Sequence, residues 1–368
     1  MNYSSVAIQV IWCWLVLLTP ARITVETAPP LIEETRVNPT AEQLFGSDEV
    51  LNFTLSGSIR ELFNDRGTTP AYHPLTLSYK ANDSSVISIP VRAKTRGNFR
   101  RSKENCDYPP ILLNIIRKEG KPSIFDGQNK LKLVTPCQGE EYIFHEYLVY
   151  KLYNLITPKS FRARLVRVNY HDEGRKKDLM LYGMVMEEDE QMAKRNKMRI
   201  INRKMIRGES TETETYLKMA VFQYMIGNTD WSVPYLHNIR ILAFDSVSVP
   251  YVVPYDFDHA GIVDAPYALP AEQLGLSSTH ERRFRGYCVT DFKTFDEVIA
   301  TFIRLKNDFY SVYTNCKFLN AKYTSNTTRF LDKFYETINN PKRAKAELTY
   351  PCDHTQDANM IIKGLEND

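Results

Sequence analysis

Closely spaced cysteines, glycine-rich loops and an excess of charge of one sign are all missing from this sequence. Its 368 residues include 6 cysteines, 15 glycines and 3 tryptophans. No two cysteines form a C-x-x-C pair, and no cysteine–histidine cluster has ligand spacing, which argues against a thiolate zinc site. There is no G-x-G-x-x-G loop, no H-R-D triplet and no Walker-type lysine motif, so the familiar phosphate-cradling loops are absent. No internal repeat or low-complexity block is present, which excludes a solenoid. Lysine and arginine number 47 against 44 aspartate and glutamate, and the net charge of +3 is too small to point to nucleic acid or an anionic membrane as partner. What is there is ordinary globular composition, 43% hydrophobic, 12% aromatic and 25% charged, enough to bury a large core.

The N-terminus, "MNYSSVAIQVIWCWLVLLTPA", has an apolar stretch over residues 6–18 followed by small residues near Thr19 and Ala21. It reads as a signal peptide over residues 1–21, although its first residues carry no lysine or arginine. The stretch falls short of the roughly 20 apolar residues of a membrane span, so the mature chain is expected to be exported (periplasmic, envelope-associated or secreted) and not membrane-spanning. Export puts Cys106, Cys137, Cys288, Cys316 and Cys352 in an oxidising space. Five is odd, so one or two structural disulfides are expected, with at least one cysteine free or paired between chains. Asn52, Asn82 and Asn326 begin N-x-S/T triplets.

Residues 22–44 read as a Pro- and Glu-containing leader. From residue 45 to 188 the pattern is mainly strands: "LTLSYK", "SSVISIPVRA", "PPILLNII", "KLKLVT", "FRARLVRVNY" and "LMLYGMVMEED". One helix, "EEYIFHEYLVYKLYNLI", interrupts them. Residues 189–368 turn helical. "ETETYLKMAVFQYMI" is apolar on nearly every side, the mark of a buried helix, and it stops at Gly227-Asn228, where positive φ is tolerated. The last third is amphipathic helix, with Asn326 as an expected N-cap. The expected architecture is α+β in two lobes, a β-rich N-terminal lobe and a mostly helical C-terminal lobe.

"GNTDWSVPYLHN" precedes one short strand and "VVPYDFDHAG" contains the next. Read as a hairpin centred on Val247, the strands at residues 239–244 and 250–255 put Asn238 directly opposite Asp256, about 4.5–5.5 Å away. Asp230 lies eight residues before Asn238, in the loop leaving the buried helix. One amide and two carboxylates converging at a rigid hairpin end suit Mg²⁺, which takes hard oxygen ligands and completes its shell with phosphate and water. In phosphoryl transfer one Asp orients the attacking hydroxyl while an Asn and a second Asp hold the metal. Asp258 competes with Asp256, since "DFD" offers two carboxylates that face opposite ways if extended. Asp and Asn also make turns, which is the plain alternative. His237 and His259 flank the acids without a third zinc ligand, so a hydrogen-bonding or packing role is favoured.

"GNTDW…HN" followed by "PYDFD" resembles the CotH and HipA branch of atypical kinase-like proteins, and exported Bacteroidetes-type proteins of unassigned function that share this C-terminal motif. "TRGNFRR", "KLKLVT", "EYLVYKLYN" and "YGMVMEED" follow in the order expected of a CotH-type N-terminal lobe. The resemblance covers about residues 50–310 and implies a protein-kinase-like fold. It also implies a phosphotransferase using ATP with Mg²⁺ or Mn²⁺, and a protein substrate or envelope partner. By that resemblance Asp230 matches the catalytic Asp, and Asn238 and Asp256 (or Asp258) match the metal ligands. Lys132 matches the phosphate-binding lysine, with Glu146 as its ion-pair partner, although Lys130 shares its strand face. Glu187 and Glu188 fall at the hinge that meets a nucleotide base, and Arg96, Gly97 and Asn98 at a phosphate-contacting turn. The Asp230–Asn238 interval is longer than the usual D-x4-N. A solvent-facing loop is the plainer view of the basic run Lys94 to Lys103. Arg282, Arg283 and Arg285 stand where kinases carry substrate-contacting segments. A catalytically inactive scaffold is the competing function. A metal-dependent hydrolase lacks its second ligand cluster.

Overall fold

The computed structural model describes residues 42–116, 122–174 and 176–349; all belong to one unit, Pro39–Asp368. The signal-peptide reading of residues 1–21, and Cys13 and Cys352, lie outside these residues. Residues 42–44, at the end of the expected leader, belong to a short helix, α1 (Glu42–Phe45), whose Leu44 is fully buried.

Seven strands follow: β1 (Leu51–Gly57), β2 (His73–Lys80), β3 (Val86–Thr95), β4 (Ile111–Ile115), β5 (Lys130–Val134), β6 (Ala163–Asp172) and β7 (Leu179–Met186). They close into a barrel in the order β1-β2-β3-β4-β5-β7-β6. Every pairing is antiparallel except the last, where β1 runs parallel to β6 from Leu51↔Val166 to Gly57↔Asp172. This corrects the expected two-lobed, protein-kinase-like fold: the N-terminal strands form a closed mixed barrel, with helices elsewhere. Each strand alternates, and its inward residues, such as Leu55, Leu77, Ala93, Leu113, Leu133 and Val168, fill the barrel with Phe125. Closing the sheet removes the edges an open sheet would expose. Helix α2 (Ile59–Asn64) sits between β1 and β2.

Outside the barrel a second core forms. Helix α3 (Glu141–Ile156), between β5 and β6, packs against outward residues of the barrel wall such as Leu165, Met184 and Met186. It is buried on most sides, including His145 and Glu146. Beyond the barrel come α4 (Asp189–Arg195), β8 (Arg199–Ile200), α5 (Thr213–Ile226), β9 (Ile239–Ala243) and β10 (Tyr251–Pro254). The helices α6 (Phe292–Arg304), α7 (Lys306–Thr314), α8 (Ala321–Ile338) and α9 (Pro341–Glu347) complete the described chain. Strands β8, β9 and β10 make a small second sheet. Helix α5 is the buried helix expected from its sequence, and it ends at Gly227 in the left-handed conformation. Helix α8 starts before the expected N-cap. Asn320 caps it by accepting the Tyr323 N–H at 2.8 Å, and Asn326 is an exposed residue of its interior. Among the described residues no helix is long and apolar enough to cross a membrane. Cys106 pairs with Cys137, Cys288 is also disulfide-bonded, and Cys316 is a free thiol.

Candidate functional site

After the left-handed turn at Gly227, the Asn228 side chain accepts the Asp230 N–H at 2.9 Å. A two-way backbone bridge between Ser232 and His237 then folds the loop back over Asp230. His237 Nε2 lies 2.8 Å from Asp230 Oδ1. The Asn238 amide nitrogen donates to Asp230 Oδ2 at 3.0 Å and to the Asp230 carbonyl at 2.8 Å. Both partners are acceptors only, which fixes which way the Asn238 amide points. Its Oδ1 accepts no hydrogen bond among the described residues. Leu236 and Asn238 both have positive φ, 58° and 51°. For leucine that conformation costs on the order of 1–2 kcal/mol, which the bridge and the Asp230 bonds sustain.

The hairpin forms, but its register is one residue off the expectation. Ile239 pairs with Pro254, and the Asn238 carbonyl accepts the Tyr255 N–H at 3.0 Å, so Asn238 lies across from Tyr255 instead of Asp256. The cause is the turn. The Asp245 carboxylate accepts the N–H groups of Val247 and Ser248 at 2.9 and 2.7 Å, which centres the reversal between Ser246 and Val247. Asp256 returns to the site by another route. Its φ of 60° bends the chain at the strand end, and its N–H donates to the buried Tyr150 hydroxyl of α3 at 2.8 Å.

The two carboxylates of "DFD" have different fates. Arg100 Nε reaches Asp258 at 2.8 Å, and Arg100 Nη2 reaches Glu146 at 2.9 Å and the Tyr267 hydroxyl at 3.0 Å. Burial works against the Asp258 anion, but Arg100, helped by His259, outweighs it and holds the carboxyl below its ordinary range. The Asp256 carboxylate accepts no hydrogen bond among the described residues. Burial and the charges of Asp258 and Asp230 push its pKa up, against Arg100 and Arg96. Glu146 is pushed up to about 7 by burial, with Asp258 and Asp256 adding to it and Arg100 opposing.

Arg100 thus takes the partner that the resemblance gave to Lys132. Lys132 instead reaches Asp189 at 2.5 Å, and the other oxygen of Asp189 takes Arg240 Nε at 2.6 Å. Burial lowers the Lys132 pKa although Asp189 pulls the other way. The rings of Phe161 and Tyr255 lie 5.5 and 5.4 Å from its ammonium. The guanidinium of Arg96, just past β3, makes no hydrogen bond or ion pair among the described residues, yet its charge acts on both Asp256 and Lys132. Gly97 follows with φ of 79° and open space where a Cβ would stand; Asn98 is exposed. Lys130 is exposed and has no such neighbours. Glu187 is buried and its carboxylate is spent on Arg195, at 3.0 and 2.9 Å, and on the Arg162 N–H at 3.1 Å. Glu188 is the half-buried N-cap residue of α4, with its pKa raised by burial and by Asp189 and Glu190.

Several residues of this site carry no local mark in the sequence. Arg100 stands in a basic run that reads as surface, and Asp189 in an acidic run that reads the same way. Arg285 donates to the carbonyls of Thr229 and Trp231 on either side of Asp230. Arg282 donates to the carbonyls of Met225 and Phe330. Both therefore support the backbone around the site, and Arg283 is exposed. No three His, Cys, Asp or Glu side chains gather as a closed metal cage among the described residues. The oxygens left open, Asn238 Oδ1 and the Asp256 carboxylate, fit a hard divalent cation that completes its shell with water and phosphate.

No protein-family model matches the chain, and no curated protein matches it. Solved structures similar to it include a proinflammatory kinase of Helicobacter pylori, CtkA, at 10% identity and a TM-score of 0.38, covering 67% of this chain and 92% of that one. A Golgi casein kinase is similar at 12% identity and a TM-score of 0.31, covering 79% and 78%. Both neighbours are kinases, and a likeness this slight carries no argument about this chain.

Proposed function

We propose that this protein is an exported phosphotransferase of the CotH/HipA-like kind, moving a phosphoryl group from ATP or a similar nucleotide with Mg²⁺ or Mn²⁺ to a protein hydroxyl. The observation behind the proposal is the pair of open oxygens at one hairpin end, Asn238 Oδ1 and the Asp256 carboxylate, beside Asp230 and within range of the uncommitted Arg96 charge. Asn238 and Asp256 are the metal ligands in this proposal, and Asp258 is held by Arg100. Held by those two residues, a divalent cation would supply neutralisation of the phosphate charge and alignment of the terminal group. Arg96, with the open backbone of Gly97 and Asn98 beside it, meets phosphate oxygens. Lys132 joins it by leaving Asp189.

Asp230 orients the acceptor hydroxyl and takes its proton as that oxygen bonds to the terminal phosphorus and the bond to the rest of the nucleotide breaks. His237 and Asn238 engage one lone pair on each of its oxygens, and each oxygen keeps another. With the Glu187 carboxylate spent on Arg195, base recognition falls to Glu188 and the backbone. Export is supported by the signal-peptide-like sequence of residues 1–21 and by the Cys106–Cys137 disulfide, which suits an oxidising compartment.

A second reading, a catalytically inactive binding or scaffold protein of the cell envelope, is favoured by one observation. Lys132 is committed to Asp189 and Glu146 to Arg100, so a phosphate-binding lysine is not held ready by Glu146. Thermal unfolding with nucleotide separates the two. A ligand at 100 times its dissociation constant adds about 2.7 kcal/mol to the folded state. The enzyme predicts stabilisation by ATP or GTP with Mg²⁺ or Mn²⁺, lost in Asp256→Ala. Asp230→Ala keeps the stabilisation and loses autophosphorylation. No shift with either nucleotide leaves the scaffold.

A further inference from the structure

We propose that the outer face of β3, β4 and β5 is a docking track for an extended acidic polypeptide, which deepens the reading above by naming the class of protein substrate. The register puts cations in rows across this face. Arg92 lies opposite Asn114, and Asn114 opposite Lys130; Lys94 lies opposite Leu112, and Leu112 opposite Lys132. Directly paired residues share a face, so Arg92, Lys94, Lys130 and Lys132 all point outward, and Arg96 follows on from the end of β3. The barrel interior takes the alternate residues Val91, Ala93, Leu113, Leu131 and Leu133.

No carboxylate stands on the outer face of these three strands, whose remaining residues are Val86, Ser88, Pro90, Leu112, Asn114 and Val134. Among the described residues the acids that meet these cations are Asp189, paired with Lys132, and Asp256, on which the Arg96 charge acts. Among the described residues Arg92, Lys94, Arg96 and Lys130 form no ion pair. Arg92, Lys94 and Lys130, with no ion pair among the described residues, repel one another on one rigid surface, and an anionic partner relieves that repulsion.

The spacing favours a polypeptide. Positions 92, 94 and 96 recur every second residue, about 6.7 Å apart, which is also the repeat of side chains on one face of any extended chain. Acidic residues at alternate positions of a bound segment therefore meet them in step. At the upper end of the track lies a cavity of about 380 Å³, lined by Lys94, Arg96, Gly97, Asn98 and Arg101, where the track meets the turn proposed to hold phosphate. Beyond Arg96 lies Asp256, so the track leads to the open oxygens. Single-stranded nucleic acid fits less well. Tyr72, an aromatic ring beside the track, is already covered by Arg92 and Lys94 at 5.4 and 5.0 Å, so that ring is not free to stack on a base.

The test is fluorescence anisotropy of the full chain with a labelled decapeptide of alternating Glu and Ser, and with its Gln-Ser counterpart, both without nucleotide. The parent is expected to bind the Glu-Ser peptide at least about tenfold more tightly than the Gln-Ser one. The triple variant Arg92→Gln, Lys94→Gln, Lys130→Gln is expected to lose at least about tenfold while keeping the parent's melting temperature. A parent that does not prefer the acidic peptide overturns the proposal, and so does a folded triple variant that binds as well as the parent. Tighter, triple-sensitive binding of oligothymidylate or of phosphatidylserine vesicles overturns it in favour of those partners. If the triple variant fails to fold, the comparison of the two peptides on the parent still decides. Because the assay contains no nucleotide, a failed phosphotransferase reading leaves its result standing.

Discussion

Arg100 decides which carboxylate of the candidate site is open. It is nearly enclosed between Glu146 and Asp258, whose side chains are 1% and 8% exposed, against its own 12%. Removing one partner from a buried ion network leaves the others charged and unsolvated, which costs about 3–5 kcal/mol. Arg100→Met is expected to lower stability by that amount in urea unfolding, and Arg100→Met with Asp258→Leu and Glu146→Leu to recover most of it. Arg100 also marks a limit of reading residues in sequence. Its run, "TRGNFRRSK", carries only positive charge without apolar periodicity and reads as solvated loop. Only the fold, by bringing α3 and the "DFD" segment to it, turns one of those arginines into a buried counter-ion. That Asp230, Asn238 and Asp256 come near one another was legible because they follow helix α5 and flank the apolar strands of the β9–β10 hairpin. The partners of Lys132 and Glu146 were not, since ion pairs across long sequence separations leave no local trace.

Secondary structure was more legible than the geometry it produces. Helices α3 and α5 and the β9–β10 hairpin follow directly from apolar pattern, and the stop at Gly227 follows from its tolerance of positive φ. The single-residue error in the hairpin came from the turn, where one Asp side chain sets the centre of reversal. Asn320 outcompetes Asn326 as the α8 cap because the apolar stripe already begins at Tyr323. Gly227 carries a prediction of its own. Its φ is 69°, and a Cβ there stands 2.8 Å from the Thr279 carbonyl. Gly227→Ala is therefore expected to cost about 1–2 kcal/mol from backbone conformation alone, with the contact adding to it. Because this turn launches the loop carrying Asp230, the same variant is expected to speed amide exchange at residues 228–238. Unchanged stability and exchange would remove the turn from that role.

Across the whole molecule, two cores share one wall of the barrel, and the second core holds the candidate site. The Cys106–Cys137 disulfide ties the loop bearing Arg96 and Arg100 to the segment just before α3. Closing a loop of 31 residues stabilises the fold by about 3–4 kcal/mol in the chain-entropy account. Cys106→Ser with Cys137→Ser is expected to lower unfolding free energy by up to that amount. It is also expected to loosen the Arg100 loop, seen as faster proteolysis near residues 96–105. The closed barrel itself was illegible, because its seam joins β1 to β6, a parallel pairing across more than a hundred residues with no turn to announce it.

That seam also orders events during synthesis. Strands β1 to β5 can zip together as they leave the ribosome, each beside the one before. The other flank of β1 has no neighbour until β6 has been made. Until then a nascent chain carries a bare, hydrogen-bond-hungry border, so the interval before β6 is made is when unpaired strand edge is most exposed to wrong partners.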